Sequence, residues 1–158
     1  MKKKIIITLL LTSMVFTTWG CGNQTKPAKT TEQSKEQDQE KDLPEGDYQD
    51  TGSGTMFLST PGGTSENGNV PVIYVSDEIL LQIGLDTLDF DSSKLSFIYI
   101  DGMLYGKEQL GESQISLDLS ENSLSVGKHS VEVLQYEGDS PENTMVTYKS
   151  ASYEVKSK

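Results

Sequence analysis

The sequence predicts an all-β domain folded as a single antiparallel two-layer sandwich of about seven strands. Apolar residues recur with period two over most of residues 48–158, which marks strands with one buried face. Clusters of Gly, Pro, Asn and Asp punctuate these stretches at short intervals, as turns require. The only cysteine is Cys21, so no disulfide framework supports the domain and it must stand on a packed core.

The chain opens with Lys2, Lys3 and Lys4, followed by an apolar stretch from Ile5 to Phe16. A charged start, a short apolar run and a small residue near its exit mark a secretory signal, here residues 1–20. The run is shorter than the roughly 20 residues a membrane-spanning helix needs. Gly20 then precedes Cys21, within "FTTWGCGNQ". This resembles the lipobox of bacterial lipoproteins, with Thr18 and Trp19 standing where that family carries an aliphatic and a small residue. The resemblance implies cleavage before Cys21 and a thioether from its sulfur to diacylglycerol. Two acyl chains would then hold the protein stably on a bilayer.

Residues 21–47 read as a polar linker. From Gly22 to Asp47 only Ala28 and Leu43 are apolar, too little to offset the entropy of ordering the chain. Limited proteolysis of the processed protein should trim this segment first and leave a resistant core. Protection of Lys35 or Lys41 would contradict it.

The elements of the domain follow in order. "GTMFLST" at 54–60 is a strand ended by Pro61-Gly62-Gly63, and "TSENGN" is a loop. "VPVIYVS" at 70–76 is β-branched and aromatic, a second strand. "DEILLQIGLD" at 77–86 fits either a short helical turn capped by Ser76 or Asp77, or a strand. "LSFIYI" at 95–100, then Asp101-Gly102, then "MLYGKEQL" predict a tight hairpin, because both central residues of a type I′ turn need positive φ. "ISLDLS" at 115–120 alternates with Ile115, Leu117 and Leu119 on one face. "HSVEVLQYE" at 129–137 and "MVTYKSASYEV" at 145–155 are long strands joined by a Gly, Pro and Asn loop.

The run "LSVGKHSVEV" at 124–133, followed by a loop and a last strand ending in "YEV", resembles the final two strands of bacterial immunoglobulin-like domains. The matching positions are Leu124, Gly127, His129 and Val131. The resemblance implies an immunoglobulin-like sandwich over residues 48–158 and carries no function with it.

All thirteen basic residues are lysine. This lysine-only usage resembles proteins of low-GC Gram-positive bacteria. Removing Lys2, Lys3 and Lys4 with the signal leaves ten lysines against 24 acidic residues, a net charge of −14. Such a chain lacks the clustered cations that hold nucleic acid. It would also be repelled by anionic headgroups, so the lipid rather than charge must keep it at the membrane.

Candidate chemistry is sparse. His129 is the only histidine and hence the one side chain suited by type to act as a neutral-pH base. No G-x-S-x-G or comparable nucleophile motif accompanies it. Its place two residues after a turn glycine matches the corner position where immunoglobulin folds often put a tyrosine that bonds back to the upstream backbone. Asp86, Asp89 and Asp91 offer oxygen ligands at a spacing that could hold calcium, though without the glycine and distal glutamate of an EF-hand; the other reading is a solvated turn. Tyr99, Asp101, Tyr105 and Lys107, around the hairpin, form a candidate binding edge.

The function expected from the sequence is that of a non-enzymatic surface lipoprotein. It would be lipid-anchored on the extracytoplasmic face of the membrane, without a cofactor, and would bind an extracellular protein or a wall component. The alternatives are an envelope hydrolase using His129, and an accessory or immunity lipoprotein that masks a partner encoded beside it.

Overall fold

The computed structural model describes residues 43–76 and 80–158 of the 158-residue chain. The signal, Cys21, most of the linker and the candidate cap Asp77 lie outside the described residues. The described chain forms nine strands: β1 (Thr55–Thr60), β2 (Gly63–Thr64), β3 (Val72–Val75), β4 (Leu80–Leu88), β5 (Ser96–Ile100), β6 (Met103–Glu108), β7 (Ser113–Ser120), β8 (Gly127–Tyr136) and β9 (Met145–Ser157). They pair into a four-stranded sheet, β2-β1-β4-β7, and a five-stranded sheet, β3-β9-β8-β5-β6. Every pairing is antiparallel except that of β3 with the end of β9. The fold is an all-β, immunoglobulin-like sandwich.

Alternation explains the core. Leu58 of β1, Ile83 and Leu85 of β4, and Leu117 and Leu119 of β7 point inward from one sheet. Ile98 and Ile100 of β5, Val131 and Val133 of β8, and Tyr153 and Val155 of β9 meet them from the other. Residues 80–88, ambiguous between a turn and a strand in the sequence, form β4 at the centre of the smaller sheet. Pairing on both edges overrides its modest strand propensity. The Asp101-Gly102 hairpin forms as expected, with φ of 53° and 80°. The strand count exceeds seven because Gly63–Thr64 turns back on β1 as a two-residue strand and 80–88 is a strand in its own right.

All five residues of β5 are buried, so both its faces are covered. On the outer face Phe97, Tyr99, Leu134 and Tyr136 form a second apolar cluster, against which Leu43, Leu95, Met145 and Tyr148 pack. Phe97 meets Tyr136 edge-on, with ring centroids 5.4 Å apart. The Leu43 N–H donates to the Gly102 carbonyl (2.9 Å), and the Tyr48 ring lies 5.1 Å from that of Tyr148. Asp50 pairs with the buried Lys149 ammonium at 2.6 Å, and Thr51 exchanges backbone bonds with Tyr148. Residues 43–47, assigned to the linker from composition, therefore belong to a strap laid on the sheet. A single leucine suffices there because an aromatic stripe waits to receive it.

Candidate functional site

Every expectation of catalysis rests on His129, the one histidine of the chain. After β7 the chain makes a 3₁₀ turn, Glu121–Leu124, tied by the Ser123 hydroxyl to both backbone groups of Ser120. Gly127, with φ of 150°, then turns the chain into β8. This places the buried His129 ring over the turn. Its Nε2 lies 2.8 Å from the Ser125 carbonyl and its Nδ1 lies 2.7 Å from Asp101 Oδ2. The other carboxylate oxygen of Asp101 accepts the Ser130 N–H at 2.9 Å.

The ring also stacks on Tyr153, with centroids 5.0 Å apart and planes 20° from parallel. The Tyr153 hydroxyl donates to the Ser123 carbonyl at 2.8 Å. Burial first, and then the nearby Asp101 charge, push that hydroxyl well above the usual tyrosine range, so it stays a neutral donor. Two stacked rings thus clamp the β7–β8 crossover by its carbonyls. His129 has the corner role anticipated for it, shared with Tyr153. The Asp101 partner was missed because nothing local in the sequence links positions 101 and 129.

Chemically, both nitrogens of the ring are engaged with oxygen acceptors. Among the described residues no serine or threonine hydroxyl is hydrogen-bonded to His129, so no nucleophile–base pair exists there. A cleft of about 520 Å³ lies elsewhere, between β1, the 65–70 loop and β9. It is lined by one carboxylate, Glu66, and one ammonium, Lys128, besides hydroxyls, amides and apolar groups.

The three aspartates of the candidate calcium loop do not converge. Asp86 stands on the outer face of β4 and accepts from Ser59 Oγ (2.8 Å) and Gln114 Nε2 (2.5 Å). Asp89 follows the strand in a left-handed conformation, φ 58°. Asp91 accepts the N–H and hydroxyl of Ser93, bonds that hold its carboxyl below the usual range. Among the described residues no three His, Cys, Asp or Glu side chains gather as a metal site would require. Strand alternation separates Asp86 from the turn that holds the other two.

The candidate binding edge also divides. Tyr99 is buried in the outer-face cluster, and Asp101 is bonded to His129. Lys107 lies over the Phe97 ring, 4.7 Å from its centroid. Tyr105, half exposed, accepts the Asp118 N–H at 2.9 Å and so closes the gap between β6 and β7. Its hydroxyl covers a backbone donor on the open edge of the smaller sheet, a protective use of the side chain.

No protein-family profile matches the chain, and no curated relative matches it. Similar solved structures include the fibronectin(III)-like modules of Clostridium thermocellum CbhA, at 19% identity and a TM-score of 0.38, covering 65% of this chain and 98% of that one. The CARDB domain of PF1109 from Pyrococcus furiosus is 16% identical with a TM-score of 0.36, covering 68% and 97%. A Jonesia denitrificans lytic polysaccharide monooxygenase is 14% identical with a TM-score of 0.29, covering 60% and 61%. Function must therefore be argued from the residues above.

Proposed function

We propose that this protein is a non-enzymatic surface lipoprotein whose immunoglobulin-like domain binds an extracellular protein or a wall component. A diacylglycerol on Cys21 anchors it to the outer face of the membrane, and the linker after it carries the domain clear of the surface. The observation that carries the binding reading is the engagement of His129. The single histidine of the chain has both ring nitrogens committed to the β7–β8 corner, and among the described residues no hydroxyl is hydrogen-bonded to it.

The anchor is tested by fractionating cells that express the wild type and Cys21→Ala. The wild type should sediment with membranes, and its N-terminal peptide should carry the mass of the lipid. The variant should be released to the medium or keep its signal, since the thioether needs the sulfur. Equal membrane retention of both proteins, with the signal removed from each, overturns the anchor.

A further inference from the structure

The five-stranded sheet leaves part of β9 without a neighbour. On the side away from β8, Tyr148 exchanges backbone bonds with Thr51, and the Glu154 N–H donates to the Pro71 carbonyl at 3.0 Å. Successive residues of a strand direct their backbone groups to opposite sides. Those of Ser150 and Ser152, between these two points, therefore face the same way as those of Tyr148 and Glu154. Among the described residues no backbone meets them: β3 pairs with β9 only from Glu154 onward, and Thr51 bridges to Tyr148 alone. The bare stretch, residues 149–153, is ~17 Å long. Such an edge is a template for another strand.

The cleft of about 520 Å³ lies against this stretch, with β9 at Ser150–Ser152 on one wall and β1 at Thr55–Phe57 on the other. That part of β1 is bare as well, because β2 pairs only with Ser59 and Thr60. Between the walls the lining is apolar. Met56 and Ala151 pack against the core yet stay partly open to the cleft. Backbone donors and acceptors repeating at every second residue, beside an apolar floor, match one kind of ligand. An extended polypeptide returns the same row of groups and sends alternate side chains inward.

Lys128 sets the polarity of that polypeptide. Its register partner on β9 is Glu154, but the Glu154 carboxylate bonds to Lys156 at 3.0 Å. The exposed Lys128 lines the cleft instead and joins no ion pair among the described residues. Residues 43–158 carry 19 acidic residues against six lysines, so a cation without a carboxylate partner is unusual here. It suits a carboxylate brought by the ligand. The register puts Lys128 at the end of the bare stretch that Pro71 closes. A chain terminus fits that end, because the row is blocked beyond it. The ligand then runs parallel to β9, as β3 does. Glu66, the one carboxylate of the lining, accepts from the Thr64 hydroxyl at 3.1 Å and favours a cationic side chain farther back on the peptide.

We infer, resting on the protein-binding reading proposed above, that this cleft takes the carboxyl-terminal segment of a partner polypeptide. The segment adds to β9 as a short parallel strand between Thr51 and Pro71, with its terminal carboxylate on Lys128. The probe is a synthetic array of hexapeptides randomised over their last four positions, each made with a free carboxylate and as the carboxamide. It is incubated with the full chain in detergent. The wild type should hold a subset of the free acids, and hold their carboxamides at least about tenfold more weakly. Lys128→Gln should bring the free acids down to the level of the carboxamides. Ser152→Pro should weaken both forms at least about tenfold, since it deletes an N–H on the bare edge. Proline is tolerated where the N–H of a strand faces outward, and thermal unfolding of each variant checks that the fold is kept. No hexapeptide held by the folded wild type, equal binding of acids and carboxamides, or unchanged binding by a folded Ser152→Pro overturns the inference. Where no hexapeptide is held, cross-linking of the full chain to the cell envelope separates the two readings. A partner captured equally by the wild type and Lys128→Gln would leave the binding role standing elsewhere on the domain. No captured partner would overturn that role as well.

Discussion

Leu117→Ala should destabilise the domain by about 2–4 kcal/mol, because it empties a packed site that the surrounding strands can only partly refill. Leu117 is wholly buried in the inter-sheet core, opposite Ile83 of β4. A domain of this size has only about 5–15 kcal/mol of net stability, so the melting temperature should fall by about 10 °C. Asp118→Ala is the matched control. That side chain is exposed and bonded to Gln82, and the bond from its backbone N–H to Tyr105 survives the change. It should shift stability by less than about 0.5 kcal/mol. Thermal unfolding of both variants decides the matter. A silent Leu117→Ala with a damaging Asp118→Ala would mean that the register of β7, and with it the sandwich, is inverted.

His129→Phe should have the next largest effect, about 1–3 kcal/mol. Phenylalanine keeps a ring to stack on Tyr153 but removes the two ring nitrogens that contact the Ser125 carbonyl and Asp101 Oδ2. Asp101→Asn should be milder. Asparagine tolerates the positive φ at 101 and its oxygen can still accept the Ser130 N–H. Because both changes disturb one network, the double variant should be less destabilised than the sum of the two. Denaturant unfolding of the four proteins measures this. Additive effects would mean that the pair does not act as one clamp. The same variant separates the functional readings: partner binding by the folded fraction should persist in His129→Phe. A hydrolytic turnover present in the wild type and lost in a folded His129→Phe would make the protein an enzyme.

The strands, their inward faces and one turn were legible in the sequence because their causes are local. Leu117 and Leu119 alternate with Asp118, and a strand puts alternate residues on opposite faces whatever it pairs with. Asp101-Gly102 supplies two residues that accept positive φ, so the hairpin follows from four adjacent positions. Leu124, Gly127 and His129 likewise mark a corner within six residues. Nearness in sequence is not nearness in space where a chain changes element or face. Asp86, Asp89 and Asp91 span a strand end and a turn, and Tyr99 and Tyr105 lie on different sides of a sheet.

What the sequence by itself determined is therefore the all-β class, the inward face of β7 and β8, and the corner role of the single histidine. The tertiary structure alone decided that residues 80–88 are the central strand of the smaller sheet, that β3 joins β9 in parallel, that Leu43 and Tyr48 cover an aromatic face, and that Asp101 meets His129. It also decided that the bare edges of β1 and β9 flank one cleft. The period of a strand specifies which side chains face the core but not which strand lies beside it. Partners are chosen by the packing of the whole sandwich, so every feature made of residues from different strands waits for the fold.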